Sequence, residues 1–264
     1  MIKKSELAAY SAFAHQLADL SAAAILPQFR RRLRVQNKAE NGFDPVTAAD
    51  KAAERVISKA LAEHFPDHGL EGEEYGKRNA DARLRWVVDP IDGTRAFILG
   101  MPLWGTLIGL KDGEQPIFGL MDQPYTRERF WSGDKAAYFR GADGREQRLR
   151  TRACASLADA MLTSTDPAMF ASTRDLRSFN AIKNRVRNTR FGGDCYAYCL
   201  LAAGHIDIIV ESGLKPYDVT ALIPIIERAG GQITTWDGGS AASGGRIVAT
   251  GDARVHKEAV ALLS

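Results

Sequence analysis

The chain has 264 residues, a formal net charge of +3, a hydrophobic share of 45% and a charged share of 25%. That composition is ordinary for a soluble globular protein and supplies enough apolar material for one large domain or two smaller ones sharing an interface. So mild a charge argues against nucleic acid or a membrane surface as partner, and no window approaches the roughly 18 apolar residues of a membrane span.

The basic, Ala-rich start contains Glu6, His15 and Asp19 and no unbroken apolar core, so it reads as an amphipathic helix rather than a signal peptide. Leu7, Tyr10, Ala14, Leu17 and Leu20, at three- and four-residue steps, predict that helix over 5–34. Its basic run, Arg30 to Arg34, would then sit where cations suit the helix dipole. A loop, "NKAENGFDPVTAAD", leads to a second helix capped by Thr47, with Ala53, Val56, Ile57 and Leu61 on its apolar face. Pro66 keeps His64 and His68 from aligning on one helix as ligands. Residues 65–83 read as a polar loop and 85–88 as a strand.

Short β-like runs at 105–111, 116–122 and 128–132 predict an antiparallel meander, and 137–150 a further hairpin turning at Asp143-Gly144. Beyond residue 150 strand and helix alternate: strands near 160–165, 186–191, 206–210, 232–236 and 246–249, helices near 173–183, 194–203, 216–229 and 253–263. Two halves are therefore expected, 1–150 and 151–264, packed tightly as one catalytic unit. Cys154, Cys195 and Cys199 form no C-x-x-C pair, so buried free thiols and a reducing, cytoplasmic compartment are expected.

Chemistry concentrates in "WVVDPIDGTRAF" (86–97), where a strand runs into Asp89, Asp92, Gly93 and Thr94. Asp-Gly alone is a turn signal. Yet Glu73 lies upstream in Gly72-Glu73-Glu74, Asp218 downstream in Lys215-Pro216-Tyr217-Asp218, and Asp50 on the first turn of the second helix. If Glu73, Asp89, Asp92 and Asp218 converge, their mutual repulsion is best resolved by a hard cation, and oxygen-only donors favour Mg²⁺. Gly93 lets the backbone approach an anion, and Thr94 offers a hydroxyl to orient a water. A D-x-D phosphatase with an aspartyl nucleophile does not fit, because Asp89 and Asp92 are three apart.

Val46-Thr47-x-x-Asp50, Gly72-Glu73-Glu74, Asp89-Pro90-Ile91-Asp92-Gly93-Thr94 and Tyr217-Asp218 together resemble the inositol monophosphatase family of Mg²⁺-dependent, lithium-sensitive phosphatases. The resemblance implies an α/β (α+β) fold, a layered αβαβα sandwich, and a homodimer acting on a small-molecule phosphate ester with two or three Mg²⁺ ions per site. It implies that Glu73, Asp89 and the Ile91 carbonyl hold one ion and Asp89, Asp92 and Asp218 another. A water oriented by Thr94 and Glu73, with Asp50 supporting Thr94, would attack phosphorus in line. Asp92, Gly93, Thr94 and Asp218 would face the substrate, the Gly93 and Thr94 amides binding its phosphate. Tyr217 stands where the family usually has Trp, while the acid that follows is retained.

Two further stretches resemble the family's histidinol-phosphate phosphatase branch: Arg95-Ala96-Phe97 with Pro102-x-Trp104-Gly105-Thr106-Leu107, and "RFGGDCYAY" (190–198) followed by Glu211-x-Gly213-Leu214-Lys215. Histidinol phosphate carries an ammonium and an imidazole, so acids away from the metals are expected, and Asp194 and Glu211 are the candidates. The other readings are an inositol-1-monophosphatase, a broad-specificity sugar or nucleotide phosphatase, and a catalytically silent Mg²⁺-binding interaction module. The silent module accords poorly with the presence of Glu73, Thr94 and Asp50, which serve the water rather than the fold.

Overall fold

The computed structural model describes residues 2–32, 35–37 and 45–264. Leu33, Arg34, Asp44 and most of the loop expected before the second helix lie outside the described residues.

Helix α1 (Lys4–Ile25) ends short of the expected residue 34, in a 3₁₀ turn at Leu26–Gln28. Pro27 is the cause, since it lacks a donor and its ring crowds the preceding turn. The chain is extended at Phe29 (ψ 134). Arg30 is therefore not a helix-end cation: its guanidinium carbon stands 4.5 Å from the Tyr125 ring centroid and its Nε donates to the Gly100 carbonyl at 3.0 Å. Leu20, expected on the apolar stripe, is 45% exposed, whereas Phe13 and Ala18 are buried.

After the short strands β1 (Gln36–Asn37) and β2 (Pro45–Val46) come α2 (Ala48–His64), β3 (Gly69–Gly72), β4 (Gly76–Arg78), β5 (Leu84–Asp92) and α3 (Thr94–Ile98). The meander follows as β6 (Gly105–Asp112), β7 (Gln115–Gln123), β8 (Glu128–Ser132), β9 (Ala137–Arg140) and β10 (Glu146–Arg148). Then come β11 (Met161–Ser164), α4 (Thr173–Lys183), β12 (Asn188–Phe191), α5 (Asp194–Ala202) and β13 (Ile208–Leu214). The chain closes with α6 (Pro216–Val219), α7 (Leu222–Ala229), β14 (Gln232–Thr235), β15 (Gly245–Thr250) and α8 (Ala253–Leu263).

Two further expectations need correction. The stretch read as a polar loop over 65–83 contains the β3–β4 hairpin; its glycines and charges lack the alternation that marks a strand, and pairing with β5 forms it instead. The single helix expected over 216–229 is two, α6 and α7, broken at Thr220-Ala221.

The strands form an eight-stranded sheet, ordered β10-β9-β8-β7-β6-β5-β3-β4, and a five-stranded sheet, ordered β12-β11-β13-β15-β14. One face of the large sheet buries Trp86, Val88, Ile108, Leu110, Phe118 and Leu120 against α1 and α2. Its other face meets α5 and α7, which also pack on Ile209, Ile247 and Ala249 of the smaller sheet. The neighbours Ile208, Val210 and Val248 point the opposite way, toward α4 and α8. This period-two alternation on both sheets produces the αβαβα sandwich. Among the described residues no helix is long and apolar enough to cross a membrane.

Gly109 and Gly119 are paired on β6 and β7. A Cβ on Gly109 would lie 2.7 Å from Thr220 Cγ2, and one on Gly119 would overlap the Ala221 backbone. The two glycines leave a hollow that receives the α6–α7 junction. Gly119→Ala is expected to lower stability by about 2 kcal/mol or more by overpacking, read as a fall in Tm. An unchanged Tm would show that the junction can lift off the sheet freely.

Candidate active site

The register of two parallel strands brings the first two acids together. Gly72 of β3 pairs with Val88 of β5, so the next residues, Glu73 and Asp89, stand side by side where the pairing of these two strands ends. The Glu73 amide continues the ladder by donating to the Val88 carbonyl at 3.2 Å, and the Glu73 carboxyl is close enough to Asp89 to disfavour its ionisation.

Asp92 reaches the same side by a bulge. On a regular strand residues three apart face opposite ways. Here Asp89 pairs with Leu107 and Asp92 with Gly105, so three steps on β5 match two on β6. The bulge is held by the Asp89 carboxylate, which accepts from the Ile91 amide at 3.0 Å, and by Thr106 Oγ1, which donates to the Pro90 carbonyl at 2.8 Å. The Ile91 side chain is fully buried, and its carbonyl accepts from Thr94 Oγ1 at 3.0 Å. Gly93, at φ 88°, turns the chain into α3, a conformation that strongly favours glycine.

Asp218 arrives from the other sheet. Leaving β13, the chain turns at Lys215, whose amide donates to Asp218 Oδ2 at 2.7 Å. The glycine hollow then fixes the depth of the junction that follows. Carboxylate oxygens of Asp89, Asp92 and Asp218 all lie within 4.8 Å of one another.

These carboxyls disfavour ionisation. Asp89 is held well above the usual carboxylate range by burial and then by Glu73, Asp92 and Asp218. Asp92 is pushed up in the same way, by burial and then by Asp218 and Asp194. Asp218 is raised to about 7, chiefly by burial, with Glu73 and Glu211 adding to the effect. Crowded acids, one buried and two partly so, with oxygen donors only are the donor set a hard divalent cation requires, so the residues present fit Mg²⁺.

Asp50, fully buried on the first turn of α2, accepts from the Thr47 amide at 2.9 Å and from its hydroxyl at 2.6 Å. Its other oxygen lies 3.4 Å from Thr94 Oγ1, so the Thr94 proton has two acceptors, Asp50 and the Ile91 carbonyl.

Asp194 and Glu211 stand on the far side of Asp92. A Cβ on Gly93 would lie 3.1 Å from Asp194 Cγ, which places this acid against the turn. Together with Asp92, Asp218, Thr165 and Tyr198 they line one pocket of about 60 Å³. Glu211, 3% exposed, accepts from the Thr165 amide at 2.8 Å and the Tyr198 hydroxyl at 2.9 Å. Asp194 adopts φ 45° and is pushed up to about 7 by burial and by Glu211, against the opposing charge of Arg95. Arg95 is exposed and 3.9 Å from Asp166.

Of the residues expected at the site, Asp89, Asp92 and Asp218 form one cluster, and Asp194 and Glu211 line the pocket that Asp92 and Asp218 share. Asp50, Ile91 and Thr94 meet around the Gly93 turn, while Glu73 follows beside Asp89 on the adjoining strand, outside the three-acid group. Others were missed. The Cys195 amide, at the start of α5, donates to Asp92 Oδ2 at 2.6 Å and so ties the two halves of the chain together at the acid cluster. Glu54 accepts from the Glu74 and Tyr75 amides at 2.7 and 2.9 Å. Its signal was available: an acid in the stripe Ala53, Ile57, Leu61, one turn after Asp50.

The profile of the inositol monophosphatase family matches residues 6–264. The chain is 38% identical over 98% of its length to the bifunctional phosphatase IMPL2, chloroplastic, of Arabidopsis thaliana, covering 76% of that protein. It is 34% identical to the histidinol-phosphatase of Mycobacterium tuberculosis, with 88% of each chain covered. Its fold superposes on an inositol monophosphatase from Zymomonas mobilis with a TM-score of 0.84 at 40% identity, covering 95% of both. The chain belongs to the inositol monophosphatase family, metal-dependent phosphatases that hydrolyse phosphate monoesters.

Proposed function

We propose that the chain is a Mg²⁺-dependent histidinol-phosphate phosphatase, converting L-histidinol phosphate and water to L-histidinol and phosphate. The observation that carries this reading is the pairing of Asp194 with Glu211 in a pocket adjoining the Asp89–Asp92–Asp218 cluster. Glu211 is buried and Asp194 partly so, and the repulsion of two acids lining one pocket is relieved by a cationic alcohol where a neutral polyol does not relieve it. The similarity to a protein named histidinol-phosphatase points the same way.

Glu73, Asp89 and the Ile91 carbonyl would hold one ion, and Asp89, Asp92 and Asp218 a second. Mg²⁺ supplies a more acidic water and offsets the charge of the phosphate. Asp50 takes the Thr94 hydroxyl proton, which leaves Thr94 oxygen lone pairs free to orient the attacking water. Glu73 accepts a proton from that water as its oxygen bonds to phosphorus, the bond from phosphorus to the substrate oxygen breaks, and the departing alkoxide takes up a proton from solvent water. The Gly93 and Thr94 amides hold the phosphate against in-line displacement.

Asp194→Asn should reduce kcat/KM for histidinol phosphate by about ten- to a hundredfold, since a hydrogen bond to a charged group contributes roughly 1.5–3 kcal/mol. The same variant should leave inositol 1-phosphate hydrolysis within about threefold of wild type. The comparison is made with the wild type on histidinol phosphate, inositol 1-phosphate and 3′-phosphoadenosine 5′-phosphate. Preference for inositol 1-phosphate would sink the substrate assignment, and no phosphate release from any of them would sink the enzyme.

A further inference from the structure

We infer that Glu54 is a positioning residue that sets the divalent-cation affinity of the site by fixing the backbone around Glu73; the inference rests on Glu73 being a metal ligand, as proposed above.

Glu73 occupies an exposed kind of position. Gly72 pairs with Gly76, so Glu73, Glu74 and Tyr75 form a three-residue hairpin loop, closed by Gly76 at φ 75°. Such a tip is ordinarily free to move, whereas a metal ligand must hold its place to within about 0.5 Å. Glu54 lies beneath the loop, fully buried on α2. Its Oε2 accepts from the Glu74 amide at 2.7 Å and its Oε1 from the Tyr75 amide at 2.9 Å. Successive amides converging on one carboxylate form an anion-binding nest, here filled by a side chain of the protein itself.

The clamp is shaped for this contact. A Cβ on Gly72 would overlap Glu54 Oε1, so the strand ends in a residue without a side chain where the carboxylate passes. Beside it, Arg55 donates to the Tyr75 hydroxyl at 3.0 Å, and that hydroxyl lies 3.4 Å from the Lys51 carbonyl. Glu54 is one helical turn beyond Asp50, which reaches Thr94. A like-charged pair so placed destabilises a helix, and burying both acids adds to that cost. The geometry offers a reason to keep them: one face of α2 holds the Glu73 loop with Glu54 and the Thr94 turn with Asp50.

The test is isothermal titration of Mg²⁺ and of Mn²⁺ into the purified chain without substrate, alongside thermal unfolding. Glu54→Gln keeps size and one acceptor but turns an amide N–H toward a backbone N–H. It should weaken cation binding about tenfold or more, the scale of one lost charge-assisted hydrogen bond. Gly72→Ala displaces the carboxylate without removing it and should weaken binding in the same direction. A lowered Tm with cation affinity within about twofold of wild type in both variants would overturn the proposal, because a merely structural residue behaves so. Loss of fold in both would overturn it too, assigning Glu54 to stability alone. Glu73→Gln in the same titration separates the two readings. If that variant binds as the wild type does, Glu73 is not a ligand and the metal assignment itself fails. If it weakens binding while Glu54→Gln and Gly72→Ala do not, only the positioning role is lost.

Discussion

Asp89→Asn should reduce kcat/KM by about a thousandfold or more and, at neutral pH, raise the Tm of the metal-free chain. The first effect follows from Asp89 being the one side chain assigned to both ions. Removing a ligand shared by two cations forfeits several kcal/mol of transition-state charge stabilisation, and each 1.36 kcal/mol is tenfold in rate. The second follows from crowding. Asp89 is 2% exposed, and burial, then Glu73, Asp92 and Asp218, hold its carboxyl well above the usual range. Asparagine removes that unfavourable charge while retaining an oxygen for the Ile91 amide, now at 3.0 Å, so the bulge persists. Phosphate release and metal-free thermal unfolding, measured on one preparation, check both halves. A variant within tenfold of wild-type activity would remove Asp89 from the metal site, and a lower Tm would show that its charge serves the fold.

Metal-free protein should lose stability as pH rises from about 5 to 8, and added Mg²⁺ should restore more of it at the higher pH. Asp194 and Asp218 are both pushed up to about 7 from an ordinary 3.8. Between those values the folded chain holds protons that the unfolded chain has released. The stabilisation this gives is present at low pH and is lost as pH rises through about 7. Mg²⁺ competes with the same protons, so the rise in Tm at saturating Mg²⁺ should be clearly larger near pH 8 than near pH 5.5. Equal increments at the two pH values would mean that the cation does not bind at this cluster.

Much of this was legible in the chain. The βα rhythm after residue 150 and the meander before it were visible because alternating apolar residues and Asp-Gly turns are local signals. The strand β3 was not, because Gly69, Gly72 and the acids around them carry no strand propensity of their own. Helix 216–229 appeared continuous since Thr220 and Ala221 permit a helix. The break coincides with the Gly109–Gly119 hollow on strands that lie about a hundred residues earlier in the chain.

The sequence alone determined the chemistry available: four acids, a glycine turn and a hydroxyl, in an order that marks the family. Residue types and their order along the chain need no folding to be read. What only the tertiary structure decided is how those groups meet. Parallel register sets Glu73 beside Asp89, a bulge turns Asp92 to the same side, and the sandwich of two sheets brings Asp218, Asp194 and Glu211 to the cluster. The same is true of Glu54, a plain acid on a helix until β3 and β4 pair above it and present two amides to its carboxylate. Register, bulges and layer contacts are long-range pairings, and a one-residue shift in any of them would carry these side chains to opposite faces.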